Sequence, residues 1–131
     1  MIINRSIDIE NEIRTALAPY QTVYCKPLPK DYNLPHILVT QVGGALADKI
    51  DTFEVVIDSR AELEADALEY LNTAVALLIR IAKEQTTALR HIVVNSSGSW
   101  GADPVRPDLA MCSARLSVTA HQHTVEVTNG H

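Results

Sequence analysis

The sequence predicts an α+β domain in which a mainly antiparallel sheet of four to five strands packs against one long helix, with a short helix near the N-terminus. Two patterns support this prediction. A β-branched and aromatic stretch, Thr52 to Ile57, leads into a helical repeat of apolar residues that ends near Glu84. Further on, apolar and polar residues alternate from Cys112 to Ala120, which is typical of a strand with one buried face.

Ahead of this central unit, the chain is predicted to form a short helix, a strand, a loop and a second strand. Ser6 is expected to cap a helix from Ile7 to about Ala18, which Pro19 ends. Strands are expected at 21–25 and 36–42. Because the segment between them has three prolines in ten residues, it is expected to be an irregular loop.

The long helix is predicted from about Arg60 to Glu84. Asp58-Ser59-Arg60 is expected to turn the chain, and Ser59 with Glu62 matches the S-x-x-E capping box of a helix start. Carboxylates crowd the first turns and cations lie near the end, which complements the helix dipole. Apolar residues at spacings of three and four form one stripe: Leu63, Ala67, Leu71, Ala74, Val75, Leu78 and Ile81.

After the long helix, a short strand is expected at 91–95. A loop over 96–108 follows, because this segment is rich in serine, glycine and proline. The alternating strand at 112–120 comes next. Its parity breaks near Gln122, so a bulge or bend is expected at 121–123. The predicted order of elements is therefore α-β-β-β-α-β-β.

Length and composition are those of one ordinary globular domain. The 131 residues are 47% hydrophobic and 21% charged, which suffices for a single core. We treat 1–131 as one domain, with 121–131 as a candidate mobile C-terminal arm. The longest apolar run, Ala74 to Ile79, has six residues, so no membrane partner is expected. No signal peptide is visible at the N-terminus.

Charge and cysteine content narrow the function classes. The formal net charge is −5 and the basic residues are scattered, which argues against non-specific binding of DNA or RNA. No specific nucleic-acid partner is expected either. The two cysteines, Cys25 and Cys112, lie in apolar strand-like segments. We expect them to be buried thiols of a reduced compartment rather than a disulfide.

A metal site is one candidate for chemistry near the C-terminus. His121 and His123 would face the same side of a strand and, with His131, could share a cation. No cysteine or carboxylate falls at a matching spacing. The sequence therefore favours a solvated tail and no metal.

A hydrolytic set is the other candidate, made of Asp58, Ser59 and Arg60 with His36 or His91. Ser59 is already expected to cap the helix, and the sequence has no G-x-S-x-G nucleophile elbow. The serine-rich loop also lacks the G-x-x-x-x-G-K-[ST] spacing of a phosphate-binding loop. We therefore expect no catalytic residue and no cofactor, and the protein is not expected to be an enzyme.

Surface chemistry points instead to protein–protein contact. Two proline-containing loops carry Tyr32 and Trp100, residue types that are enriched at interfaces. A long amphipathic strand also leaves backbone edges that a monomer must cover. A small acidic domain of this kind is most economically a building block for assembly. The alternative is that both aromatic side chains simply cover the core.

Several features occur in a recognisable order: a Val-Tyr strand, a proline loop ending Leu34-Pro35, and Gly43-Gly44. A strand then enters the long helix, and the 102–108 loop opens onto the alternating strand. In this order, from about Ile7 to Thr119, the chain resembles the tail terminator proteins of long-tailed bacteriophages. The tail from 121 to 131 has no counterpart in that pattern.

The resemblance implies a protein that assembles as a ring, usually a hexamer, on the finished end of the tail tube. Its partners would be further copies of itself, the major tail tube protein and the head–tail connector protein. It would act without catalysis or cofactor, in the tail or neck of a virion assembled in the host cytoplasm. An acidic ring also suits a lumen through which DNA passes. The interface candidates are Tyr32, Trp100, Asp103, Arg106 and Asp108.

Two other functions remain open. One is a head-completion protein or another minor neck or tail subunit of similar size. The other is a small cytoplasmic ligand-binding module or enzyme with its ligand under the 96–108 loop. Native mass in solution separates these classes, because a ring favours the structural functions and a stable monomer that binds a metabolite favours the module.

Overall fold

The computed structural model describes residues 1–47 and 49–128. Its elements, in chain order, are β1 (Ile2–Arg5), α1 (Ile9–Leu17), β2 (Val23–Cys25), β3 (His36–Ala45), β4 (Ile50–Ala61), α2 (Glu64–Glu84), β5 (Leu89–Ala102), β6 (Ala110–His121) and β7 (His123–Glu126). Five strands form one sheet in the order β2-β3-β4-β6-β5, while β1 and β7 form a separate pair. The α+β class and the mainly antiparallel sheet are confirmed, and β2 runs parallel to β3.

The long helix α2 begins later than its sequence predicted. Strand β4 continues through the expected turn to Ala61, and the helix N-cap is Leu63, which makes no side-chain capping hydrogen bond. The capping box at Ser59 was therefore a wrong prediction. The physical reason is that β4 is hydrogen-bonded on both sides, to β3 and β6, as far as Arg60. The hydrogen bonds to two neighbouring strands stabilise this segment as a strand more than one capping box would stabilise it as a helix start.

The apolar stripe of α2 is largely confirmed. The buried residues of the helix are Ala67, Leu71, Ala74, Leu78 and Ala82. Leu63 precedes the helix and is 64% exposed, so it does not belong to the stripe. Leu77 and Ile79 are partly buried against the same core. The C-terminal half of α2 is therefore covered on more than one side, as expected.

Helix α1 also packs on the sheet, so the long helix does not cover it alone. Its three inward residues, Ile9, Ile13 and Leu17, are fully buried in the same core. The helix is capped by Asp8, whose carboxylate accepts the Asn11 backbone N–H at 3.2 Å, and not by Ser6 as predicted.

Strand β6 is the centre of the sheet. It lies between β4 and β5, and the alternation predicted for it is confirmed: Cys112, Ala114, Leu116, Val118 and Ala120 are all buried. The expectation that this strand exposes an edge was wrong, because both its sides are paired. The edges of the five-stranded sheet are β2 and β5.

Strand β5 is much longer than predicted. It includes the serine- and glycine-rich stretch that composition had assigned to a loop, so the true loop covers only 103–109. Irregular register with β6 leaves Arg90, Asn95 and Gly98 out of the regular pairing, and Gly98 has a φ of +78°. These bulges let a turn-like sequence remain in a strand.

Strands β1 and β7, which are far apart in the sequence, pair with each other, and the sequence did not predict this pairing. Ile2 lies opposite Glu126, and the Val127 backbone N–H donates to the Met1 carbonyl at 2.7 Å. The expected bend near residue 122 is present, since Gln122 separates β6 from β7. Within the candidate C-terminal arm, residues 123–126 are therefore paired strand.

Both helices pack on one face of the five-stranded sheet, and no helix among residues 1–47 and 49–128 covers the other face. Cys112 is buried on the helix face and Cys25 is partly buried, and both are free thiols. Burial raises the pKa of both cysteine side chains. Over the described ranges, neither α1 nor α2 has the length and apolar character needed to span a bilayer.

Candidate functional site

Two loops on the helix-free face of the sheet enclose a cleft of about 860 Å³. One is the proline-rich loop 26–35 and the other is loop 103–109. The cations that line the cleft are Lys26, Lys30, Arg60 and Arg106. Its apolar walls are formed by Pro27, Leu28, Pro29, Leu38, Pro104 and Val105. We call this site the basic cleft.

A buried ion pair joins the sheet to the second loop at this cleft. Arg60, near the end of β4, donates from Nε to Asp103 Oδ2 at 2.7 Å, and the two residues are only 8% and 6% exposed. The other carboxylate oxygen of Asp103 accepts the backbone N–H groups of Val105 and Arg106, at 2.9 and 3.0 Å. These contacts fix the start of loop 103–109 on the sheet.

The ionisation of Asp103 follows from its partners. Burial by itself would raise the pKa of this carboxyl group. The two backbone N–H donors and the Arg60 guanidinium outweigh burial, so the pKa of Asp103 lies below its usual value. The carboxylate is therefore charged at neutral pH. In contrast, Arg60 Nη1 is buried and has no hydrogen-bond partner among the described residues.

His36 anchors the proline-rich loop next to this ion pair. It is the β3 residue opposite Arg60, it is fully buried, and its Nδ1 lies 2.9 Å from the Asn33 carbonyl oxygen. A carbonyl only accepts, so Nδ1 carries the hydrogen. The rings of Tyr24 and Tyr32 contact the imidazole edge-on, with centroids 5.2 and 4.8 Å away. Burial, and secondarily the Arg60 charge, lowers the pKa of His36.

An exposed ion pair lies in the second loop. Arg106 donates from Nε and Nη2 to the two carboxylate oxygens of Asp108, at 3.0 and 2.8 Å. The contact lowers the pKa of Asp108 and raises that of Arg106. Because both side chains are solvent-exposed, the pair contributes little to stability.

The structure brings together four of the five interface candidates. Tyr32, Asp103 and Arg106 line the basic cleft, and Asp108 is paired with Arg106. Asp103 is buried, so it holds the cleft together rather than presenting a surface. Trp100 lies apart from them on β5, opposite Cys112, and is 49% exposed.

Sequence reasoning missed three of the four cations that line the cleft: Lys26, Lys30 and Arg60. Lys26 and Lys30 flank the prolines of the first loop, and this alternation of charge with rigid apolar residues was a usable signal. Arg60 had been placed in a turn. Only the full length of β4 shows that it lies on the same face of the sheet as Leu38, opposite His36.

The hydrolytic set considered from sequence is not assembled. Ser59 is fully buried on the helix face of β4, whereas Asp58 and Arg60 alternate onto the other face. His36 lies on that other face too, where its Nδ1 is hydrogen-bonded to Asn33. No nucleophile–base contact can therefore form between Ser59 and His36.

The two described histidines of the considered metal set lie on different strands. His121 ends β6, whereas His123 begins β7, where its Nε2 lies 3.5 Å from Glu12 Oε1. His131 lies outside the described residues. Within 1–47 and 49–128, no group of three or more histidine, cysteine or carboxylate side chains is placed to hold a metal ion.

A second surface is the free edge of β5. Among the described residues this strand pairs only with β6, so its other side leaves backbone N–H and C=O groups unpaired. Residues 92–102, which we call the β5 edge, contain no charged residue and no proline. Three large apolar side chains are exposed there: Val93 by 44%, Val94 by 39% and Trp100 by 49%.

The basic cleft and the β5 edge are two surfaces of the described residues with chemistry suited to recognition. The first combines buried and exposed cations with apolar walls, and the second combines unpaired backbone with exposed apolar side chains. In comparisons with known proteins, no protein-family model and no curated protein matches the sequence.

Proposed function

We propose that this protein is a structural subunit that works by self-assembly, and specifically the tail terminator of a long-tailed bacteriophage. In this function a ring, usually of six copies, caps the tail tube, ends its polymerisation and joins the head connector. The resemblance in element order supports the specific part of the proposal. The β5 edge supports self-assembly, and it is the observation that carries the proposal.

The β5 edge lacks most of the devices that keep a sheet edge monomeric. Natural edge strands are usually short, or carry lysine and proline, or are covered. β5 has 14 residues, and its last 11 have neither charge nor proline. Its bulges bend the strand, which restricts the partner that can pair with it. A second chain lying along this edge would satisfy the free backbone groups.

Exposed side chains extend the edge on both faces of the sheet. Val94 and Trp100 lie opposite Leu116 and Cys112, whose side chains face the helices. Val93 points to the other face, because it lies opposite Ser117. A partner would thus contact apolar surface on both sides of its backbone hydrogen bonds. Tryptophan in such a position is a typical anchor of a protein interface.

The contact that closes a ring is heterologous, since the surface of one copy meets a different surface of the next. The long uncharged edge of β5, present once on each copy, is compatible with this arrangement. The net charge of −5 is compatible with the ring's lumen, because an acidic wall does not hold the phosphate backbone of passing DNA.

The proposal is tested by native mass spectrometry and sedimentation over a range of protein concentrations. We expect a closed oligomer, or a monomer that forms rings as concentration rises. Added to growing tail tubes, the protein should bind one end and stop elongation at that end. A stable monomer at all concentrations with no effect on tubes would contradict the proposal, and so would turnover of a substrate by the purified protein.

A further inference from the structure

We propose that the basic cleft is a docking site for an acidic, partly apolar peptide segment of a partner protein. The segment would place a carboxylate against Arg60 and apolar side chains against the walls of the cleft. This inference goes beyond self-assembly through the β5 edge and does not depend on it, because the two surfaces are formed by different elements.

The first argument is that an arginine lining the cleft has an unsatisfied donor. Arg60 is 8% exposed and uses Nε on Asp103, but its Nη1 is buried and has no partner among the described residues. A buried charged donor without an acceptor is costly. Arg60 also lines the cleft. A ligand carboxylate is the acceptor that guanidinium geometry matches best.

The second argument is the concentration of positive charge. Four of the eleven lysine and arginine residues line this one cleft, on a chain of net charge −5. Asp103 pairs with Arg60 and Asp108 pairs with Arg106. Lys26 and Lys30 have no ion-pair partner within the described ranges. The cleft therefore keeps two uncompensated cations, which attract carboxylates of a partner.

The third argument is the apolar lining, which selects a peptide over a nucleic acid. Prolines stand in both loops, and Val105 in the second loop is 85% exposed. These side chains can pack against apolar side chains of a peptide, but they have no charge or hydrogen-bond donor for a sugar–phosphate backbone. The one aromatic side chain lining the cleft, Tyr32, already packs on His36 and gives no free stacking platform.

Fluorescence anisotropy with short dye-labelled peptides tests the proposal on the full chain. The probe is the peptide Glu-Leu-Glu-Leu-Glu. Its comparison peptides replace every Glu by Gln, every Glu by Lys, or every Leu by Ser. We expect the probe to bind, each replacement to weaken binding by about tenfold or more, and affinity to fall with added salt.

Variants of the protein locate the binding site. Lys26→Glu with Lys30→Glu should weaken binding of the probe by about tenfold or more, because two attractive charges become repulsive. Val105→Ser should weaken binding several-fold through the lost apolar contact. Lys83→Glu, on the distant last turn of α2, is the matched control and should bind as the wild type does. Circular dichroism checks that every variant is folded.

Four binding results would overturn the proposal. They are no binding of the probe by the folded wild type, equal binding of the lysine peptide, tighter binding of a thymidine oligonucleotide than of the probe, or unchanged binding by the double lysine variant. A change of native mass in the double lysine variant without any peptide would also overturn it, since the occupant would then be a second copy. Binding of the probe by Trp100→Ala separates this test from that of ring formation.

Discussion

Asp103 shows how much one side chain in a loop can organise. Composition places it in a polar surface loop, but the folded chain buries it and gives it three donors: the Arg60 side chain and two backbone N–H groups. If loop 103–109 left the sheet, Arg60 would lose its ion-pair partner. One carboxylate thus fixes one wall of the basic cleft.

Asp103→Asn is expected to lower the free energy of unfolding at pH 7 by roughly 1–3 kcal/mol, because the charge on the buried acceptor is lost. The pKa of Asp103 is below the ordinary value of about 3.9, so its contribution is complete above that pH. The contribution is lost as pH falls through the folded pKa. Urea unfolding of wild type and variant should therefore converge at low pH.

Asp108→Asn serves as the control for this substitution. It also breaks an ion pair with an arginine of the same loop, but that pair is exposed and should matter little. A difference between wild type and Asp103→Asn that stays constant down to pH 2 would contradict the role given to the charge. Equal effects of the two variants at pH 7 would contradict it as well.

At the level of elements, β4 and α2 meet at a boundary that short motifs misplace. The serine within the expected capping box lies in the strand, fully buried, and its hydroxyl has no hydrogen-bond partner among the described residues. Ser59→Ala should therefore leave the free energy of unfolding unchanged or raise it by up to about 1 kcal/mol. A loss of more than about 1 kcal/mol, as expected for removal of a helix cap, would contradict this assignment.

The core face of α2 gives a prediction of opposite sign. Leu71→Asp or Leu78→Asp should abolish soluble folding, because each places a charge among fully buried side chains at a cost of several kcal/mol. Asn72→Asp, on the exposed face of the same helix, is the control and should fold normally. Thermal unfolding measured by circular dichroism distinguishes them. Normal melting of both leucine variants would refute the packing.

Sequence patterns predicted those elements whose own residues carry the signal. The strict alternation of β6 and the helical stripe of α2 each reflect one face packed on the core. The long extent of β5 was hidden, because its serines and glycines become strand only through hydrogen bonds to β6. The pairing of β1 with β7 joins residues more than 115 positions apart, and no local pattern reports that contact.

The same distinction holds for the candidate site. Loop composition was enough to single out Tyr32 and Arg106, because prolines mark exposed turns and both residues lie in proline-containing loops. Loop composition could not show that Arg60 lines the cleft, because this position depends on the register of β4 with β3. Loop composition therefore identified part of the rim of the cleft, while its buried cation, Arg60, required the three-dimensional pairing of strands.

For the whole molecule, assembly and folding should be separable at Trp100. Its side chain is half exposed, so Trp100→Ala should leave the monomer folded with a nearly unchanged melting temperature. Ring formation or joining to tails should weaken, because an interface anchor is lost. Sedimentation and calorimetry measure the two effects.

Tyr20→Ala is the matched control for the tryptophan variant. Tyr20 is an aromatic residue that is 66% exposed, on the turn after α1 and away from β5. Tyr20→Ala should change neither the mass of the oligomer nor the melting temperature. A large drop in melting temperature for Trp100→Ala would instead show that the indole covers the core and stabilises the fold.

The ribbon of β1 and β7 has a mechanical consequence for a protein that would be anchored in a larger assembly. The two strands are antiparallel and residues 1 and 127 are neighbours, so a pull on both ends loads their hydrogen bonds one after another. Tension would thus break the hydrogen bonds between β1 and β7 in sequence, at low force. The five-stranded sheet would then remain intact, while the released segments of β1 and β7 would extend as short flexible linkers.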